Sequence, residues 1–248
     1  MQPFDNPTLP RKVGAGRGWR WCVEAFYIVR EQPLTWVLLA LVYLLIHFAI
    51  SLVPMIGNLI GAIVAPVFAA GFVMAASKSE RGEELELADL FAGFRLMPGP
   101  LMQVGAMFFI LMLTATLAVV AAGMATGVLG GLAGGHIEAG QRAAASGGVV
   151  GVLMLLMAVV VFVVSLSYWF APAQVALGGV APWPAVRSSL SAGLSNWLPL
   201  LVAGLTLSVL GLLALLPLGL GLLLWFPVAY VTAYTSWKDI FGQQAQPS

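Results

Sequence analysis

The chain has 248 residues, 60% of them hydrophobic and 8% charged, with mean hydropathy +0.98 and a formal net charge of +1. Soluble globular domains carry about 25% charged residues, so this balance excludes one and leaves a polytopic membrane protein of all-α class. A single cysteine, Cys22, excludes an internal disulfide.

Residues 1–17 form a polar tail, and the first 33 residues hold no short apolar run ending at a small-residue cleavage site. The first hydrophobic segment is therefore expected to stay in the mature chain. Next comes GWRWCVEAFYIVREQ, residues 18–32. As a helix it sets Arg20, Glu24, Tyr27 and Glu31 on one face and Trp19, Val23, Phe26 and Val29 towards the other. It is too short to span, and tryptophans beside charges suit the headgroup region. Cys22 is expected there as a small apolar residue on the membrane-facing side.

From Gln32 to Ser77 no charged residue occurs. At 1.5 Å per residue that length is roughly 70 Å of helix, enough for two crossings of about 20 residues each. Ser, Pro, Gly and Asn in SLVPMIGN mark the reversal between spans expected over 33–53 and 57–77. The segment EELELADLFAGFRLMPGP repeats the opening design, with Leu87, Leu90, Phe91 and Phe94 at helical spacing. Glu83, Glu84, Glu86 and Asp89 fall mostly outside that stripe. A third span is expected over 99–122, followed by a glycine-rich stretch too flexible for continuous helix, and a fourth over 148–172. In PWPAVRSSLSAGLSNW a third amphipathic helix puts Val186, Leu190, Leu194 and Trp197 on one side and Arg187, Ser188, Ser191 and Ser195 on others. Spans over 197–215 and 219–237 follow, turning at Pro217 and Gly219, and residues 241–248 form a polar tail.

The fold expected is thus one membrane domain over 18–240, six transmembrane helices as three hairpins, each preceded by a cytoplasmic interfacial amphipathic helix. Ten of the eleven basic residues lie on the N-terminal side of this arrangement, and Arg142 alone lies opposite. Basic residues in short loops stay in the cytoplasm, so both termini are expected there.

Ionisable and polar groups at membrane depth are functional candidates by default. They are His47, near the outer end of the first span, Asn58 at the turn, where it would cap a helix, and Gln103 and Gln174 near cytoplasmic ends, suited to interhelical hydrogen bonds. His136 and Glu138 lack partners for a metal site. The pairs Gly57/Gly61, Gly123/Gly127, Gly147/Gly151 and Gly204/Ser208 allow close helix approach. Glu83, Glu84, Glu86 and Asp89 form the concentrated acidic patch, a solvated helix face or a dock for a basic partner. No nucleophile elbow, zinc-binding HExxH, phosphate loop or pair of intramembrane carboxylates occurs, so no catalytic residue, cofactor or metal is expected and the chain is read as non-enzymatic.

The block GWRWCVEAFYIVREQPLTWVLL, with PMIGNLIGAIVAPVFAAGFVMAA and an acidic segment ending DLFAGF, resembles an uncharacterised family of six-span bacterial inner-membrane proteins. The resemblance is clearest over residues 18–95 and implies inner-membrane localisation and six spans. The expected function is association with membrane lipids, with a partner membrane protein or with a second copy, and no nucleic acid is involved. The alternative is passive or weakly coupled transport of a small neutral or amphipathic solute, which requires a polar-lined cavity near His47, Asn58, Gln103 and Gln174.

Overall fold

The computed structural model describes residues 10–54, 56–125 and 139–242, which are helical with no strand among them. Helix α1 (Arg17–Glu31) leads into α2 (Pro33–Ser51) and α3 (Ile56–Glu80). A 3-10 turn over Leu87–Phe91 and a short α4 (Ala92–Leu96) precede α5 (Pro98–Ala125) and α6 (Ala139–Trp169). After α7 (Ala171–Ala176) come α8 (Pro182–Ser195), α9 (Trp197–Leu215) and α10 (Leu222–Phe241). The glycine-rich stretch beyond residue 125, Gly127, His136 and Glu138 lie outside the described residues, as do residues 1–9 and 243–248 of the two tails.

Among the described residues five stretches are long and apolar enough to cross a bilayer: Pro33–Ser51, Ile56–Glu80, Pro98–Met124, Val150–Ala176 and Trp197–Leu215. The remaining segment expected to span is α10, whose 20 residues suffice in length but whose Tyr, Thr, Ser, Lys and Asp content leaves it less apolar. Its polar side chains face protein: Thr232 and Ser236 are fully buried, and α10 packs against α1, α2 and α3. A helix sheltered on that many sides need not be lipophilic all round.

The most buried span is α3. Around it Trp36 stacks on Phe72 at 6.4 Å, Phe72 on Tyr230 at 4.6 Å, and the Tyr43 and Tyr230 hydroxyls hydrogen-bond at 3.2 Å. This aromatic core ties α2, α3 and α10 together. Elsewhere small residues set the packing distance. A Cβ on Gly71 would run into the Leu90 carbonyl, one on Gly93 into that of Val67, and one on Gly18 into that of Pro199.

Three elbows share one backbone conformation. Gln32, between α1 and α2, has φ −135° and ψ 58°; Met97, between α4 and α5, −144° and 50°; Asn196, between α8 and α9, −121° and 31°. Pro33 and Pro98 account for the first two, because proline disfavours helical geometry in the residue before it. At two elbows the side chain then clamps an extended segment. Gln32 Nε2 donates to the Glu83 carbonyl at 2.9 Å and its Oε1 accepts from the Leu85 N–H at 2.8 Å. Asn196 Nδ2 donates to the Arg11 carbonyl at 3.0 Å and its Oδ1 accepts from the Val13 N–H at 2.9 Å. In each case an amide pairs with residues n and n+2 of the strand-like segment leading into a later or earlier amphipathic element.

The amphipathic elements differ from their expected form. The second is no continuous helix, because Glu86 and Asp89 close a reciprocal capping box that fixes a 3-10 turn. In α1 the buried stripe is Gly18, Trp21, Cys22, Ala25, Ile28 and Val29, so Cys22 faces the bundle while Trp19 and Phe26 are exposed. In α8 the buried residues include Ala185, Ser188, Ser189, Ala192 and Gly193, while Leu194 and Trp197 are exposed. These small side chains let α6 pass close, with Leu166 against Gly193.

The close approaches separate glycines of equal local sequence character. Gly71→Ala is expected to cost about 1–3 kcal/mol through overpacking. Gly147→Ala and Gly204→Ala, where nothing lies within 4 Å of the added atom, are expected to change stability by less than about 0.5 kcal/mol. Thermal unfolding in detergent micelles distinguishes the two classes.

Candidate functional site

The four polar candidates are not gathered. His47 lies in the aromatic core, 4.5 Å from the Tyr43 ring and 6.4 Å from Phe68, with its Nε2 buried and unbonded. Asn58 is exposed inside the first turn of α3, past the capping position, since that helix opens at Ile56. Gln103 is exposed on α5. Gln174 is 1% exposed and its Nε2 donates to Ser188 Oγ at 3.3 Å, joining α7 to α8. Next to it, Ser189 Oγ donates to the Leu166 carbonyl at 2.7 Å and accepts from the Phe170 N–H at 3.0 Å. Ser189 thus supplies partners where the chain breaks between α6 and α7 ahead of Pro172, which has no N–H to give.

The acidic patch is largely spent within the fold. Asp89 pairs with Lys78 at 3.0 Å and accepts from the Glu86 N–H at 2.8 Å. Glu83 pairs with Arg81 at 2.5 Å, and Glu86 caps the 3-10 turn. Among the described residues only Glu84 of the four has no such partner.

Charged groups instead converge where the ends of α3 and α10 meet α1. Asp239, in the last turn of α10, accepts from Arg17 Nε and Arg11 Nη2, each at 2.5 Å, and from the Trp21 indole N–H at 2.9 Å. Burial opposes its ionisation, but the Trp21 and Arg17 hydrogen bonds and the nearby guanidinium charges prevail, holding the carboxyl below its usual value. Lys238 reaches Glu80 at 2.6 Å, and the Tyr234 hydroxyl donates to the same carboxylate at 2.8 Å. Arg17 also pairs with Glu24 at 3.1 Å. Burial pushes the Cys22 thiol up to about 11, which leaves it protonated and a poor nucleophile.

Two cavities flank α1 at this place. One, of about 650 Å³, is lined by Arg17, Glu24, Glu31, Glu80, Lys238 and Asp239 together with Tyr27. The other, of about 520 Å³, is apolar and lies between α1 and the α9–α10 seam, with Trp19, Phe26, Leu210, Leu224 and Trp225 in its walls. Tyr27 lines both. Neither cavity includes His47, Asn58, Gln103 or Gln174. Sequence periodicity marked Glu24, Tyr27 and Glu31 as one face of α1; nothing local marked Asp239, Glu80 or Lys238 as their neighbours.

No family model matches the chain, and no solved structure matches it. It is 26% identical over 259 aligned positions to a probable inner membrane protein of Burkholderia thailandensis, with 94% of each chain covered. That likeness and the five apolar helices make this an inner-membrane, multi-pass protein. They are consistent with an uncharacterised family of inner-membrane proteins.

Asp239 generates a pH prediction. Its folded carboxyl lies below the ordinary value of about 4, so its stabilisation is complete above that pH and is lost as pH falls through the depressed folded value. Asp239→Asn is expected to cost about 1–3 kcal/mol near neutral pH, since it leaves partly buried guanidinium groups without their carboxylate. Melting curves from about pH 7 to about pH 3 should show a shallower acid limb in the variant than in the parent.

Proposed function

We propose that the chain crosses the membrane six times with both termini in the cytoplasm, and that it acts without chemistry of its own, by associating with membrane lipid at the cytoplasmic face. The sixth crossing is supported by the pairing of α10 with α3. Phe226 and Tyr230 pack on Phe72 at 6.1 and 4.6 Å, and further along Tyr234 and Lys238 both reach Glu80. Contact from 226 to 238 is about 18 Å of helix, and a helix parallel to a central span over that distance crosses with it. The orientation rests on the basic residues, which the ion pairs of α1, α3 and α10 gather at the end the positive-inside rule assigns to the cytoplasm. In this arrangement α1, the 3-10 turn with α4, and α8 are the three interfacial elements, one ahead of each hairpin.

Lipid association is carried by one observation. Helix α1 is fixed to the bundle by its buried stripe and by Asp239, yet Trp19, Phe26 and Tyr27 stand exposed beside Arg20 and Arg30. Exposed aromatics next to cations on a rigid helix suit the headgroup layer. Docking of a basic protein is less well supported, because three of the four patch acids already have partners within the chain.

Gentle extraction from native membranes, followed by mass spectrometry of intact complexes, tests the reading. The expected result is phospholipid bound to each chain with no stoichiometric protein companion; a stoichiometric foreign subunit would overturn it. For the topology, single cysteines placed in a Cys22→Ala background at Lys12 and Glu84 should react with an impermeant maleimide only after the membrane is opened. One at Leu218 should react from outside.

A further inference from the structure

We propose that the two cavities flanking α1, which share Tyr27 in their walls, together form the site for one phospholipid whose headgroup carries a primary amine and which passes over the exposed Tyr27 ring. The inference rests on the lipid-association reading and adds a location and a chemical class.

The apolar cavity has the dimensions and direction of an acyl-chain groove. Its walls are Leu210, Leu213 and Ala214 of α9, Pro217 and Gly221 of the turn, and Leu224, Trp225 and Val228 of α10, a seam of about 10 Å along the hairpin. Both helices run across the membrane in the proposed arrangement, so a chain lying in the seam is parallel to the bilayer lipid. Trp19 and Phe26 of α1 close its headgroup end. No charged side chain lines it.

The polar cavity selects the headgroup by charge. Its lining holds four carboxylates, Glu24, Glu31, Glu80 and Asp239, against two cations, Arg17 and Lys238. Both cations are engaged, Arg17 with Asp239 and Glu24 and Lys238 with Glu80, and Arg11 from outside the lining also pairs with Asp239, so three cations face four carboxylates. Glu31 has no such partner among the described residues, so the cavity carries acidic excess with one carboxylate unpaired. An ammonium group satisfies it, whereas an anionic headgroup is repelled. The Arg30 guanidinium lines neither cavity but sits 4.1 Å above the ring of Tyr27, the residue common to both, within reach of a phosphodiester lying over that ring. Apolar seam, guanidinium and carboxylates therefore follow the order tail, phosphate and amine of the ligand.

The test uses the full chain, delipidated in mild detergent and offered equimolar phosphatidylethanolamine and phosphatidylglycerol with matched acyl chains, read by native mass spectrometry. One lipid per chain is expected, with about a tenfold preference for the amine lipid, the ratio that about 1.4 kcal/mol of ion pairing supplies. Glu31→Lys should bring that ratio close to one. Leu210→Trp should fill the seam and remove both lipids; Leu210 is 37% exposed, which leaves room for the larger ring outside the bundle. Leu224→Trp, equally exposed, is the second probe should the first variant fold poorly. Lipid retained by the parent without headgroup preference, yet lost in the seam variants, would overturn the amine assignment and leave lipid association standing. Lipid retention unchanged by both seam variants would overturn the site, and no retained lipid at all would overturn the site and the lipid reading together.

Discussion

Every backbone N–H and C=O near the hydrocarbon must find a partner inside the protein, because an unpaired one there costs several kcal/mol. Helices meet that demand along their length and fail it where they bend. The bends of this chain are accordingly where its polar side chains are used. Gln32 and Asn196 present a primary amide, which carries both a donor and an acceptor and so can imitate a neighbouring strand. Ser189 serves both sides of the break before Pro172 with one hydroxyl. Remove these partners and the elbows lose the contacts that hold the amphipathic elements against the spans.

Once the elbows are fixed, small residues decide how near the helices come. Gly18, Gly71, Gly93 and Gly193 allow backbone to meet backbone or a facing side chain. Between lipid tails and apolar side chains there is little hydrophobic driving force, so close van der Waals packing and interhelical hydrogen bonds carry association. Polar content can then be high on a helix that is surrounded. Thr232, Thr235 and Ser236 of α10 are buried, while Leu155, Leu205 and Leu212, on α6 and α9, are exposed to the surroundings.

The charged layer follows from the same economy. Asp239 and Glu80, at the ends of two neighbouring helices, gather Arg11, Arg17, Trp21, Tyr234 and Lys238 between them. The pairing immobilises α1 across the bundle and leaves its outer aromatics exposed and Glu31 without an ion-pair partner among the described residues. A polar cavity and an apolar one flanking the same helix are the consequence, and Tyr27, aromatic in body and polar at its tip, belongs to both.

Class, membrane depth and the position of most helices were legible in the sequence, because charge-free length and composition report directly on what can be buried in lipid. The elbow at Gln32 and that at Met97 were legible too, as residues preceding proline. Three things were not. Hydrophobic periodicity put Leu194 and Trp197 on the apolar side of the third amphipathic element, where both are exposed, but it did not mark Ser189, Ala192 and Gly193 as the side packed on the bundle, because in a membrane protein small residues, not large apolar ones, set helix contacts. The acidic run looked like a free surface because the partners of its carboxylates, Lys78 and Arg81, precede it in the chain and the side chain that holds its backbone, Gln32, lies 51 residues away. The site around Tyr27 combines residues more than 200 positions apart, Arg17 with Asp239 among them. A local pattern contains no signal for which helix ends will meet; tertiary packing alone, by bringing the ends of α3 and α10 under α1, decides which charges cancel and which carboxylate remains.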